Sequence, residues 1–329
     1  MPYILLYAGY QSEVWSQDSF LDSGLNASAR CLLDLAQELS KYYTVYVCSD
    51  FSINKDVEGI KYRDIPKTIN ELRDKSVKCL IALNYVNYLF EFKHINFEKS
   101  FFWMHHRNQF AWYRRKRLPD NGENMFYDSR MTKIICSSNW HKNYIVEKFP
   151  AIKSKVLKIN NGIHTARFKA PKFKLKDSLI YASDPKRGLH KIAENWDWVK
   201  SQLEKPILHI CYPQGIKVSE LDLQVYLKNI DSYKFYDHLN QNDFQELLSS
   251  MEYWYYPTEY TETFCQLSLE SLGHQVTPIT SGKAGLSESL GQFNCKNFFE
   301  RNDYAATKSY INSFDWRLQS EKWLDLIET

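Results

Sequence analysis

Tyr3-Ile4-Leu5-Leu6-Tyr7-Ala8, near the start of a 329-residue chain, is an unbroken apolar run of strand length. Apolar residues without polar alternation predict a strand buried on both faces, as in a parallel sheet covered by helices. A polar stretch containing Gly24 follows. Residues 26–41 then carry Leu32, Leu33, Leu35, Ala36 and Leu39 at helical spacing, with Asn26 or Ser28 placed to cap the helix. Residues 44–49 form a second apolar run. Strand, helix and strand make a βαβ unit, which presents a loop and a helix N-terminus at the carboxyl edge of its first strand. Ser23-Gly24-Leu25-Asn26 holds one glycine and not GxGxxG, so a dinucleotide-binding reading has little support.

Outward from this unit the pattern repeats. Short apolar runs at 79–83, 101–104, 133–137 and 156–159 predict further strands, and Asn160-Asn161-Gly162-Ile163-His164 is a turn that closes the set. Residues 169–176, with Pro171 and several lysines, read as a linker. A second series has strands at 179–182, 207–211, 234–236, 252–256 and 277–280. Its helices fall after the loop 183–188 to about residue 203, then at 220–228, 243–250 and 264–273, and an amphipathic helix spans 316–327. Two α/β halves of similar size predict two domains with ligand sites at facing strand ends across a cleft.

Composition narrows the partners. A net charge of +3 with 25% charged residues implies no polyanion, so no nucleic-acid partner is expected. The 16% aromatic content, with 23 Tyr and 9 Trp, suits stacking on sugars. Cys31, Cys48, Cys79, Cys136, Cys211, Cys265 and Cys295 stand singly, without a CxxC pair, as in a reducing compartment. The N-terminal residues lack the basic region and apolar length of a signal peptide, and no run reaches membrane-spanning length. A soluble, cytoplasmic protein is the expectation.

Three stretches carry candidate chemistry. His105-His106-Arg107 lies just past a predicted strand end, where such sheets bind ligands, and no third metal ligand sits at useful spacing. Arg114-Arg115-Lys116-Arg117, beside Trp112 and Tyr113, reads as an exposed basic helix face, with contact to an acidic acceptor or a membrane surface left open. Residues 255–270 read as a strand end, a polar loop and an amphipathic helix, with Glu262 in the loop and Glu270 within the helix. Free N–H groups at the helix start make an anion site between the two carboxylates. A ligand with hydroxyls at both ends and phosphate in the middle, such as a nucleotide sugar, fits that order.

Several of these loops together resemble the retaining glycosyltransferases of family four, with the GT-B fold. Asn161-Gly162-Ile163 with Phe168 is similar to the family's interdomain turn. The stretch from Tyr181 through Ser183-Asp184-Pro185-Lys186-Arg187-Gly188-Leu189, with Trp196, is similar to its donor-phosphate loop. Tyr256-Pro257-Thr258 followed by Glu262-Thr263-Phe264 and Glu270 resembles its E-x7-E segment. Thr280-Ser281, Leu286, Glu288 and Gly291 match the next loop, and the last helix resembles the one that crosses back to the first domain.

The resemblance implies two Rossmann-like domains facing across a cleft, residues 1–165 on the acceptor side and 166–312 on the donor side, closed by residues 313–329. It implies that Glu270 accepts hydrogen bonds from ribose hydroxyls and that Arg187, aided by Lys186, carries charge to the diphosphate. The N–H groups around Phe264, Cys265 and Gln266 would hold phosphate and sugar oxygens, with Ser183 and Thr263 completing the donor set. Glu262 would contact the sugar near its reacting carbon, His105 would reach the donor sugar, and Gly24 would let a ligand approach the backbone. The base is expected near Asp237 and His238. The implied reaction is metal-independent and cofactor-free transfer of a sugar from a UDP- or GDP-linked donor to an acceptor hydroxyl, as on a glycan, with retention. A nucleotide-sugar 2-epimerase and a non-catalytic nucleotide-sugar-binding protein remain alternatives. Departures from the pattern at Ser23, His164, Asp184 and 273–278 bear on donor choice.

Overall fold

The computed structural model describes residues 1–10, 15, 16, 18, 25–50, 54–107, 112, 113, 116, 117, 119–168, 173–212, 220–236 and 239–329. The chain divides into two compact units, one built on the N-terminal strand with Ala27–Gly162 and Trp316–Thr329, the other on Ile163–Asp315.

In chain order the first unit has β1 (Tyr3–Gly9), α1 (Ala27–Leu39), β2 (Thr44–Ser49), β3 (Lys55–Val57), β4 (Ile60–Asp64), α2 (Ile65–Leu72), β5 (Ser76–Leu83), α3 (Tyr88–Glu91) and β6 (Asn96–Met104). The pair β7 (Trp112–Tyr113) and β8 (Lys116–Arg117) follows, then β9 (Lys133–Cys136), α4 (Asn139–Lys148) and β10 (Val156–Lys158). Eight strands form one sheet in the order β10-β9-β6-β5-β1-β2-β4-β3. All neighbours are parallel except β3 and β4. Ile4 through Ala8 are fully buried, as the opening apolar run predicts for an inner strand covered on both faces. The C-terminal helix, here α12 (Trp316–Glu328), belongs to this unit, where the Trp316 indole donates to Asp34 on α1 at 3.0 Å.

Two sequence readings change here. Elements β3, β4 and α2 are not predicted from the sequence, because β3 is a short polar strand at the sheet edge and β4, one strand further in, alternates Ile60 and Tyr62 with polar residues instead of running apolar. The basic stretch 114–117, expected as a helix face, contributes β8, which pairs antiparallel with β7. Arg114 and Arg115 lie outside the described residues.

The second unit contains β11 (Ser178–Ala182), α5 (Leu189–Glu194), α6 (Trp196–Gln202), β12 (Ile207–Cys211), α7 (Glu220–Leu227), β13 (Tyr233–Tyr236), α8 (Gln241–Ser250), β14 (Tyr253–Tyr256), α9 (Gln266–Gly273), β15 (Thr277–Thr280), α10 (Gly285–Leu290) and α11 (Tyr304–Asn312). Its five strands are all parallel, in the order β13-β12-β11-β14-β15. The helix predicted up to residue 203 is two helices, broken at Asn195. The observed architecture is thus α/β with two Rossmann-like parallel sheets.

Candidate functional site

Strand order in the second unit reverses direction between β11 and β14, and in such sheets the carboxyl ends at the reversal frame a crevice for ligands. Two loops leave these strand ends, one from Ser183 to Gly188 and one from Pro257 to Cys265. They are tied together at several points. Ser183 Oγ lies 3.4 Å from the Tyr256 hydroxyl, and Thr258 Oγ1 donates to the Arg187 carbonyl while accepting from the Tyr260 N–H at 2.9 Å. Gly188 has φ +146°, and a Cβ there would stand 3.2 Å from the Thr258 Cα. A side chain at this position is therefore opposed by conformation and by space.

The tie brings Arg187 and Glu262 together. The guanidinium stands over the Tyr260 ring at 4.3 Å, and its Nη1 is 3.5 Å from Glu262 Oε1. The same carboxylate oxygen accepts from the Tyr256 hydroxyl at 2.9 Å. Glu262 is buried, and burial pushes its carboxyl above the usual range although the Arg187 charge and the Tyr256 hydroxyl pull it down. Burial works against the charge of Arg187 too, but Glu262 and the neighbouring tyrosines outweigh it and hold the guanidinium charged. Lys186 is exposed, and its backbone N–H is taken by the Asp184 side chain at 2.9 Å, so Asp184 serves as a turn cap.

Helix α9 begins at Gln266, two residues later than the sequence predicts, with Cys265 as its N-cap. Cysteine offers no oxygen to the first-turn N–H groups, and no acidic residue lies in that turn. No carboxylate of the helix therefore offsets its positive end, which suits an incoming anion. The correction moves Phe264 off the helix. Its ring is buried 5.9 Å from Phe314, and it anchors the loop. Burial raises the Cys265 thiol well above its ordinary value, so the sulfur stays protonated. Thr263, Gln266 and Glu270 are all buried, and Glu270 Oε1 accepts from Gln245 Nε2 at 3.0 Å.

His105 belongs to the first unit, directly after β6. Its backbone N–H donates to Asn84 Oδ1 at 2.7 Å, and its Nδ1 lies 2.9 Å from Ser28 Oγ. The ring stands edge-on to Trp103 at 4.6 Å. Burial, with His106 and His141 nearby, holds it well below the ordinary histidine value against a hydrogen bond with Asn161. The imidazole is thus neutral. His141, near the start of α4, is itself fully buried and pushed down to about 3 by burial and by His106.

Gly24, Asp237 and His238 lie outside the described residues. Within the second unit the structure groups Ser183, Arg187, Glu262, Thr263 and the start of α9. Sequence reasoning missed Tyr256 as a partner of Glu262, Gln245 as a partner of Glu270, and Gly285. A Cβ on Gly285 would meet the Thr263 carbonyl oxygen at 2.1 Å, and the Gly285 N–H donates to the Glu262 carbonyl at 2.9 Å. No helix among the described residues is long and apolar enough to cross a membrane.

No protein-family model matches the chain, and no curated protein matches its sequence. Solved structures do. AviGT4, a glycosyltransferase involved in avilamycin A biosynthesis, aligns at TM-score 0.67 and 10% identity over 100% of this chain and 97% of that one. HepE of Anabaena, solved with UDP, aligns at TM-score 0.66 and 11% identity over 100% of both chains. Sucrose-phosphate synthase of Thermosynechococcus elongatus aligns at TM-score 0.68 and 10% identity over 100% of this chain and 98% of that one. The chain shares with them the GT-B fold of two Rossmann-like parallel sheets.

Proposed function

We propose that the chain is a glycosyltransferase that takes a sugar from a nucleotide-diphosphate donor, UDP- or GDP-linked, and passes it to an acceptor hydroxyl such as that of a glycan. The observation that carries this reading is the grouping, at the strand reversal of the second unit, of Arg187, Glu262 and an uncapped helix start that leads to Glu270. HepE, which has the same fold, holds UDP in one structure and UDP-glucose in another, which supports a nucleotide sugar as the donor class.

In this reading Glu270 takes the ribose hydroxyls, the N–H groups at the start of α9 and the Arg187 guanidinium take the diphosphate, and Glu262 takes the sugar. Sugar transfer leaves negative charge on the departing diphosphate, and fixed positive groups aimed at it lower the barrier most. Arg187 and the helix end supply that charge, so the reaction is proposed to proceed without a metal; retention is proposed on the resemblance to the E-x7-E enzymes alone. Lys186, exposed at the loop edge, adds charge near the phosphates, and Ser183 and Thr263 line the same loops. His105, neutral in the first unit, is proposed as a hydrogen-bonding group toward the sugar rather than a charged one. Titration calorimetry with UDP and GDP tests the ribose assignment. Glu270→Ala should weaken binding of the preferred nucleotide by about tenfold or more, as loss of a charged hydrogen-bond acceptor does. Unchanged binding would overturn the role given to Glu270.

A further inference from the structure

Glu270 is held in place by a short chain of side chains. Gln245, on α8, reaches across to α9, its Nε2 lying 3.0 Å from Glu270 Oε1 and its Oε1 lying 2.5 Å from His274 Nε2. Glu270 sits in the second turn of α9 and His274 is its C-cap, and both are buried. Chemistry orders the chain. An ionised carboxylate only accepts, so the amide nitrogen must face Glu270, the amide oxygen must face the imidazole, and the imidazole must carry its proton on Nε2. His274 is anchored in its turn. Its N–H donates to the Glu270 carbonyl at 2.9 Å, its carbonyl accepts from Lys174 Nζ at 2.8 Å, and its ring stands edge-on to Phe168 at 5.2 Å.

We infer that Gln245 and His274 are positioning residues for the nucleotide, which fix the plane of the Glu270 carboxylate and thereby set donor affinity while leaving the chemical step alone. The inference rests on the reading of Glu270 as the ribose acceptor. Two vicinal hydroxyls bind a carboxylate best when its orientation is set beforehand, because no rotational freedom is then lost on binding. An amide suits the task better than an ammonium or guanidinium. It orients the carboxylate without bringing an opposing charge of its own.

The test measures UDP and GDP binding by calorimetry, with donor KM and kcat, on the wild type, Gln245→Met, Gln245→Glu, His274→Gln and Glu270→Ala, each checked for an unchanged thermal midpoint. Gln245→Met keeps length and loses polarity, and should raise Kd and donor KM about tenfold, with kcat at saturating donor unchanged within about twofold. Gln245→Glu keeps shape and faces Glu270 with a like charge, and should weaken binding further. A glutamine that merely filled space between α8 and α9 would leave Kd and donor KM unchanged in Gln245→Met, which keeps its length. If Glu270→Ala loses binding while both Gln245 variants and His274→Gln bind as the wild type, the positioning role is wrong and the ribose reading stands. If the variants lose kcat with KM unmoved, the positioning role is likewise overturned. If Glu270→Ala binds as the wild type, the ribose reading itself fails and the inference goes with it.

Discussion

Arg187 is fixed at three places: its carbonyl by the Thr258 hydroxyl, its guanidinium face by the Tyr260 ring at 4.3 Å, and its charge by Glu262 at 3.5 Å. A long cation held this way has already lost most of its rotamer freedom, so it would meet the proposed diphosphate at little further entropic cost. Arg187→Ala should therefore lower kcat for the donor by about two orders of magnitude, as removal of one preorganised contact to a developing negative charge does. Initial rates at saturating donor check this, and wild-type turnover would remove Arg187 from the diphosphate. Glu262 and Glu270 could be singled out from the loop-then-helix pattern of the sequence, and Arg187 through the resemblance of its loop to a family motif. Tyr256 and Gln245 could not. Tyr256 is the last residue of an apolar strand and reads as core until its hydroxyl is seen on Glu262 at 2.9 Å. Gln245 reads as one more polar residue on a half-exposed helix, since its contacts with Glu270 and His274 arise from the packing of α8 on α9.

At the scale of elements, the start of α9 decides where the proposed anion site lies. Periodicity placed that start at Phe264, because the apolar phenylalanine extends the helical pattern backwards, but the residue is spent on anchoring the loop against Phe314. Helix α10 holds the same loop from the other side through Gly285, whose N–H donates to the Glu262 carbonyl. No side chain fits there, since a Cβ would lie 2.1 Å from the Thr263 oxygen and 2.8 Å from the Glu262 oxygen, and both obstacles are backbone. Gly285→Ala should cost about 1–3 kcal/mol of stability, the usual range for overpacking, and should reduce turnover because the displaced loop carries Glu262 with it. Denaturant unfolding at constant slope measures the first effect. A variant as stable and as active as the wild type would show that the loop yields freely and that its register does not position Glu262.

For the molecule as a whole, the fold was the most legible property of the sequence. Strands such as β1, β11 and β14 are buried on both faces, so their apolar runs stand out without any partner being known. The edge strand β3 and its neighbour β4, which alternates Ile60 and Tyr62 with polar residues, have no continuous apolar run and left no such trace. Strand order in the second unit, which creates the reversal where Ser183, Arg187 and Glu262 gather, is a property of chain topology that local pattern does not carry. Arg187 and the start of α9 also place positive charge at that reversal, the physical basis of the proposed diphosphate leaving group. The most direct measurement is incubation of the full chain with a panel of UDP- and GDP-sugars in the presence of a metal chelator, following free nucleoside diphosphate. Release of UDP or GDP from one donor, faster when a glycan acceptor is supplied, is the expected result. Interconversion of two nucleotide sugars without sugar transfer to any acceptor, or nucleotide binding with no release at all, would contradict a glycosyltransferase.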